Sequence, residues 1–214
     1  MKVLAIGAHH DDIEIGCGGT LARLADQGHA TFGLTLTNSE THYDLRDIHR
    51  TRETALAEAT AAAAVIGLRR IDIAGEDRDN GALEYDVHLM RRIEDIISEH
   101  DISMVLTHWD RDLNTDHAAA ARMSIVAARH VPCVLMYRSN WYAPNGAFDG
   151  SFFVDISDYI DRKRACLSCF ESEIENRGRA WIETFIDGHR IAGFSHDRRF
   201  AELFEPIKFE LFRF

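Results

Sequence analysis

Six short apolar runs, each breaking into polar residues, alternate along this chain with longer stretches of helical spacing, and that alternation limits the folds open to it. Residues 3–7, 31–37, 71–74, 103–107, 133–137 and 152–156 read as strands. Residues 20–27, 51–66, 88–99, 117–129 and 158–172 read as helices, the first two closed by Gly28 and Gly67. Strands separated by helices pair in parallel, because the crossover returns the chain to the same edge of the sheet. The expectation is an α/β chain with a doubly wound, mainly parallel sheet and helices on both faces.

At 214 residues with 46% hydrophobic content, the sequence suits one compact domain spanning 1–214. The segment from about 176 is the hardest to read. A helix is expected over 179–187, and the aromatic finish through Phe200, Phe204, Phe209, Phe212 and Phe214 packs on the core or on another subunit. A formal net charge of -11 argues against a nucleic-acid partner, since phosphate binding needs a basic field. No apolar run approaches membrane-spanning length and no leader pattern opens the chain, so a cytoplasmic protein with no membrane partner is expected. Four scattered cysteines do not make a disulfide framework, and the CxxC at Cys166 to Cys169 falls inside an expected helix, where ordinary helix cysteines explain it.

In a parallel sheet, ligands bind beyond the carboxyl ends of the strands. Two polar clusters fall there. The run KVLAIGA breaks directly into His9, His10, Asp11 and Asp12, and the strand at 103–107 leads to Asn114, Thr115, Asp116 and His117. His9 and Asp12 are three residues apart, so both face one point if the loop curls into a helical turn, and His117 can supply a third ligand. Three N or O ligands suit a hydrolytic zinc ion, with Fe2+ or Co2+ able to take its place. Such an ion lowers the pKa of its water, and Asp11 is placed to take the proton as general base. Asp116 is a candidate acceptor behind a ligand imidazole, and Asn114 a candidate amide donor to an oxyanion. The plainer reading stays open, because Asp-Asp after a strand can simply cap a helix and most of 12 histidines will be surface or hydrogen-bonded residues. His10, His42, His49, His88, His100, His130 and His189 are read that way. Gly16, Gly18 and Gly19 lack the full GxGxxG spacing and lie beside carboxylates, so helix packing explains them better than a nucleotide loop. Arg52, Arg138 and Asn140, with Asp79, Trp141 and Tyr142, are candidates for contact with a sugar.

The stretch AIGAHHDDIEIGCGGTLARL, positions 5–24, resembles the AHPDDxE signature of the LmbE-like or PIG-L family of zinc-dependent N-deacetylases, and THWDRDLNTDH, positions 107–117, resembles its second motif. LMYRSNWY and FVDIS add to the resemblance, which covers most of the chain and weakens toward its end. It implies a Rossmann-like fold without a dinucleotide, His9, Asp12 and His117 as zinc ligands, Asp11 as general base, and a small-molecule amino-sugar substrate that loses an N-acetyl group. A homo-oligomer is also implied. Two positions depart from the family pattern. His10 stands where proline is usual, and Asn114 where some members carry a histidine, a role in which a neutral amide cannot transfer a proton. The alternatives are an amidase for another amino-sugar conjugate, and a sugar- or metal-binding protein without turnover.

Overall fold

A computed structural model describes residues 1–43, 48–73, 78–140, 142 and 146–210. The chain opens with β1 (Lys2–Gly7), α1 (Asp12–Asp26) and β2 (Ala30–Thr35), and a short hairpin follows, β3 (Thr41–Tyr43) and β4 (Ile48–Arg50). Next come α2 (Arg52–Ile66), β5 (Arg69–Ile71), α3 (Val87–Glu99), β6 (Met104–His108), α4 (Thr115–Ala127) and β7 (Cys133–Tyr137). The last part holds β8 (Phe152–Asp155), α5 (Ile160–Leu167), α6 (Glu171–Arg177), α7 (Ala180–Ser195) and β9 (Ala201–Phe209).

The strands form a seven-stranded sheet in the order β5-β2-β1-β6-β7-β9-β8. β5, β2, β1, β6 and β7 pair in parallel, and β9 runs antiparallel to both β7 and β8. Alternation along β1 supplies both cores. Val3 and Ala5 face the cluster under α1, α2, α5 and α7, while Leu4 and Ile6 face the cluster under α3 and α4. The doubly wound, mainly parallel sheet expected from the sequence is present.

Local chemistry explains the helix boundaries. Thr51 caps α2 by accepting from Thr54 N–H at 3.2 Å, and Gly67 ends it in the left-handed region at φ 74°. Several expected boundaries shift. The strand expected at 71–74 is Arg69–Ile71 in the structure, the helix expected at 179–187 runs from Ala180 to Ser195, and the one expected at 158–172 breaks into α5 and α6 around Ser168 to Phe170. Cys166 lies inside α5 and Cys169 just beyond it, both as free thiols. The C-terminal aromatics do more than pack on the core, since Phe204 and Phe209 belong to a nine-residue strand that inserts between β7 and β8. Phe212 and Phe214 lie outside the described residues.

The first helix begins earlier than the expected 20–27 and carries a kink, with Cys17 at φ -144° and ψ 16°. The break frees backbone groups in the core, and two distant side chains satisfy them. Lys163 Nζ donates to the Ile15 carbonyl at 2.7 Å, and the Glu202 carboxylate accepts from Gly19 N–H at 2.9 Å and Thr20 N–H at 2.7 Å. Lys163 also donates to Glu202, and both residues are fully buried. Gly16, one residue before the kink, lies against the Tyr137 ring, where a Cβ would fall 2.1 Å from a ring carbon. Small residues here serve close packing, as the sequence suggests.

Candidate active site

The chain leaves β1 at Gly7 and enters α1 at Asp12, so His9 and Asp12 lie on the turn that joins a buried strand to a helix start. His117 sits in the first turn of α4, which begins seven residues after β6 ends. Because β1 and β6 are parallel neighbours, both turns leave the same edge of the sheet. The result is a buried cluster of His9, Asp12 and His117 whose ligand atoms lie within 4.8 Å of one another.

The distances are tighter than that limit. His9 Nδ1 lies 3.2 Å from Asp12 Oδ2, His117 Nε2 lies 3.2 Å from Asp12 Oδ1, and the two imidazole nitrogens are 3.3 Å apart. Ligands bonded to zinc at about 2.0–2.1 Å in tetrahedral geometry stand about 3.3 Å from each other. The residues present therefore fit a divalent ion of that size.

Each ligand is held from behind. His9 Nε2 faces Asp116 Oδ2 at 3.0 Å, and Asp116 is itself anchored by Gly81 N–H at 2.6 Å and Leu83 N–H at 3.0 Å. His117 Nδ1 faces Asp112 Oδ2 at 3.2 Å, and Asp112 accepts from the Asn140 amide at 2.5 and 2.7 Å and from Asn114 N–H at 2.9 Å. Asp12 accepts from His9 N–H at 2.6 Å and from Ser139 Oγ at 2.8 Å. A carboxylate behind each imidazole orients the ring and raises its basicity, as in metal sites generally.

The electrostatics agree. Burial alone would lower the His9 imidazole, but the carboxylates of Asp12, Asp116 and Asp11 outweigh it and push its pKa up to about 10. His117 is likewise pulled down by burial and then raised to about 9, chiefly by Asp12 and Asp112. Burial opposes ionisation of Asp12, yet the charged imidazoles of His117 and His9 hold it well below the usual carboxylate range. A field that retains two imidazole protons also favours a divalent cation, which must displace them. His108 differs. Its ring stacks on His117 at 4.1 Å, and burial followed by the charge of His117 lowers it to about 4. With Ala8 N–H directed at its Nε2 at 2.9 Å, His108 is a neutral wall behind Asp12, and its 3.1 Å approach to that carboxylate is not an ion pair.

Asp11 points into a cleft of about 470 Å3, shared with His9, Asn114, Thr41, Asn80, Tyr142, Arg50 and Glu173. Burial, then the neighbouring Glu173 and Asp12 carboxylates, raise its pKa from 3.8 to about 6. Asp11 occupies the N-cap position of α1 without making a side-chain cap bond, so the plain capping reading does not describe it. Asn114 does cap a helix, its Oδ1 accepting from Asp116 N–H at 2.9 Å and His117 N–H at 3.4 Å. Its side-chain NH2 is left for the cleft. Glu14, in the same motif, is buried, and burial pushes its carboxyl up to about 8, so it is mostly uncharged at neutral pH.

Of the residues expected to contact a sugar, only Tyr142 among the described residues lines the cleft of Asp11. Arg52 is half exposed beside Glu53 and lines a neighbouring recess with His10 and Arg70, not the cleft of Asp11. Arg138 donates to the Tyr142 carbonyl at 2.8 Å and braces the loop after β7. Asn140 is committed to Asp112, and Asp79 accepts from Asn38 at 3.1 Å. Tyr142 does line the cleft, while Trp141 lies outside the described residues.

Sequence reasoning missed Arg50, Glu173, Asp112, Ser139 and His108. Arg50 is buried, donating through Nη1 to Glu173 Oε1 at 2.8 Å and through Nε and Nη2 to the Ser39 carbonyl at 3.2 and 3.1 Å. Arg177 Nε donates to the other Glu173 oxygen at 2.6 Å. Asp112 carried a readable signal, since it stands five residues before His117 and a ligand imidazole needs an acceptor. Glu173, about 160 residues from Asp11 in sequence, carried none.

The chain is 35% identical over 147 residues to the uncharacterized deacetylase YaiS of Escherichia coli (strain K12), covering 65% of this chain and 75% of that one. It is 27% identical over 188 residues to the diacetylchitobiose deacetylase of Thermococcus kodakarensis, covering 80% of this chain and 70% of that one. The crystal structure of the conserved protein TT1542 from Thermus thermophilus superposes with a TM-score of 0.80 at 25% identity, over 98% of this chain and 96% of that one. Residues 4–128, which hold both histidine-aspartate motifs, match the family described as PIG-L, GlcNAc-PI de-N-acetylase, and the chain belongs to that family.

Proposed function

We propose that this protein is a zinc-dependent hydrolase that removes the acetyl group from the nitrogen of an N-acetylated amino sugar or sugar conjugate. The observation that carries the reading is Asp11, a cleft-facing carboxylate next to a three-ligand cluster of which it is not a member. An ion held by His9, Asp12 and His117 would supply an acidified water and polarise the acyl oxygen. Zinc suits two imidazoles and one carboxylate, and Fe2+ or Co2+ suits them as well.

The residues of the chain do the rest. Asp11 accepts the proton of the attacking water and returns it to the amide nitrogen as the C–N bond breaks, so one carboxylate serves as base and then acid. The Asn114 NH2 donates to the oxygen that gains charge, a role its capped carbonyl leaves it able to fill. It holds no labile proton for the leaving amine, which places the whole proton transfer on Asp11. Arg50, Asn80 and Tyr142 line the remainder of the cleft, and the sugar hydroxyls lie against them. Asp112, Asp116, Ser139 and Asn140 keep the ligands in place.

Metal analysis and turnover together test this reading. Protein purified without added metal should carry about one divalent ion per chain, and His117→Ala should lose it. Asp11→Asn should keep the ion while release of amine from N-acetyl sugars falls at least a hundredfold. Undiminished turnover in Asp11→Asn would remove the base, and a sugar bound without amine release by the wild type would favour a binding protein.

A further inference from the structure

The β3–β4 hairpin stands apart from the main sheet and carries two histidines directly opposite each other, His42 paired with His49. Their rings lie 4.2 Å apart between centroids, and the two Nδ1 atoms approach to 2.7 Å. Contact at that distance requires one Nδ1 to carry a proton and the other to accept it, so an ion would take the place of that proton once both rings turn toward a common point. With metal–nitrogen bonds of about 2 Å, ligands at a right angle stand about 2.9 Å apart, and a tetrahedral pair about 3.3 Å. The observed spacing is close to that of a tetragonal pair, and the change needed is a rotation of the two exposed rings.

We infer that His42 and His49 form a second, weaker site for a divalent transition metal, of the copper(II) or nickel(II) type, distinct from the cluster of His9, Asp12 and His117. Side chains alternate along a strand, so His42 and His49 face away from Thr41 and Arg50, which line the cleft on the other side of the hairpin. A two-stranded hairpin of three residue pairs is marginal by itself. An ion bridging its strands would staple the wall that carries Arg50.

Titration of the metal-loaded protein with Cu2+, followed by calorimetry and by nitrogen hyperfine structure in electron paramagnetic resonance, tests the site. The wild type should take up one further Cu2+ per chain with imidazole nitrogen coupling. His42→Ala and His49→Ala should each weaken that uptake at least tenfold, while His117→Ala should lose only the tight ion. Because both hairpin histidines are on the surface, thermal unfolding of the variants should match the wild type. Absence of a second class of site overturns the proposal. So does a second class that survives in the double variant or is lost in His29→Ala, whose Nδ1 lies 2.9 Å from the Met1 amine. Loss of the tight ion alone bears on the hydrolase reading and leaves this site standing.

Discussion

Asp11 and Asp12 are neighbours in sequence whose carboxyl pKa values are shifted in opposite directions. Asp12 sits between the charged imidazoles of His9 and His117, which hold it ionised, while Asp11 faces Glu173 and Asp12 from a buried position that raises it to about 6. A base works only when ionised, so kcat/KM should fall about tenfold per pH unit below the pKa of Asp11 and level off above it. A bound cation lowers that pKa, so the acid limb is expected at or below about 6. A pH–rate profile with its acid limb centred well above 6 would assign it to another group. Asp112 makes a second residue-scale test. Asp112→Asn keeps an acceptor near His117 Nδ1 but removes the charge, and loss of such a partner typically costs about 10–100-fold in metal affinity. Competition titration against a chromophoric chelator measures it, and unchanged affinity would make Asp112 a spectator.

Among the elements, α1 shows how a site is held by groups far from it in sequence. Its kink at Cys17 lets the first turn present Asp12 to His9 and His117 while the rest of the helix packs on the sheet. The Lys163–Glu202 pair, contributed by α5 and β9, ties off the exposed carbonyl and amides of the break. Removing one member of a fully buried pair leaves the other charge stranded, at about 3–5 kcal/mol. Glu202→Gln should lose that much stability in urea unfolding, and adding Lys163→Met should recover part of it, because the stranded ammonium goes too. A single variant within about 1 kcal/mol of the wild type would show that the pair carries little of the kink. β9 thus does more than complete the sheet, since Glu202 reaches the helix that carries Asp12.

Over the whole molecule, the cluster of His9, Asp12 and His117 joins loops from β1 and β6, and the cleft adds the hairpin, the loop before α3 and α6. An ion bound only by the folded chain stabilises it by about 2.7 kcal/mol at a hundredfold excess over Kd. For a chain of this length that corresponds to roughly 5–11 °C in Tm. Thermal unfolding before and after chelation should show such a drop, reversed by added Zn2+, and His117→Ala should not respond. An equal Tm with and without chelator would separate metal binding from this cluster. The sequence by itself determined what depends on local pattern. Alternating apolar runs and helical spacing specified the parallel doubly wound sheet, and the two strand-end motifs marked His9, Asp11, Asp12, Asp116 and His117, because a rigid sheet edge converts spacing into direction. Only the tertiary structure decided what depends on meetings between distant segments. It put Arg50 in the cleft and Arg52 in a neighbouring recess, tied Asn140 to Asp112, and placed Glu173 beside Asp11. Side-chain partners across a hundred residues are set by how helices and strands pack, and no local periodicity records that packing.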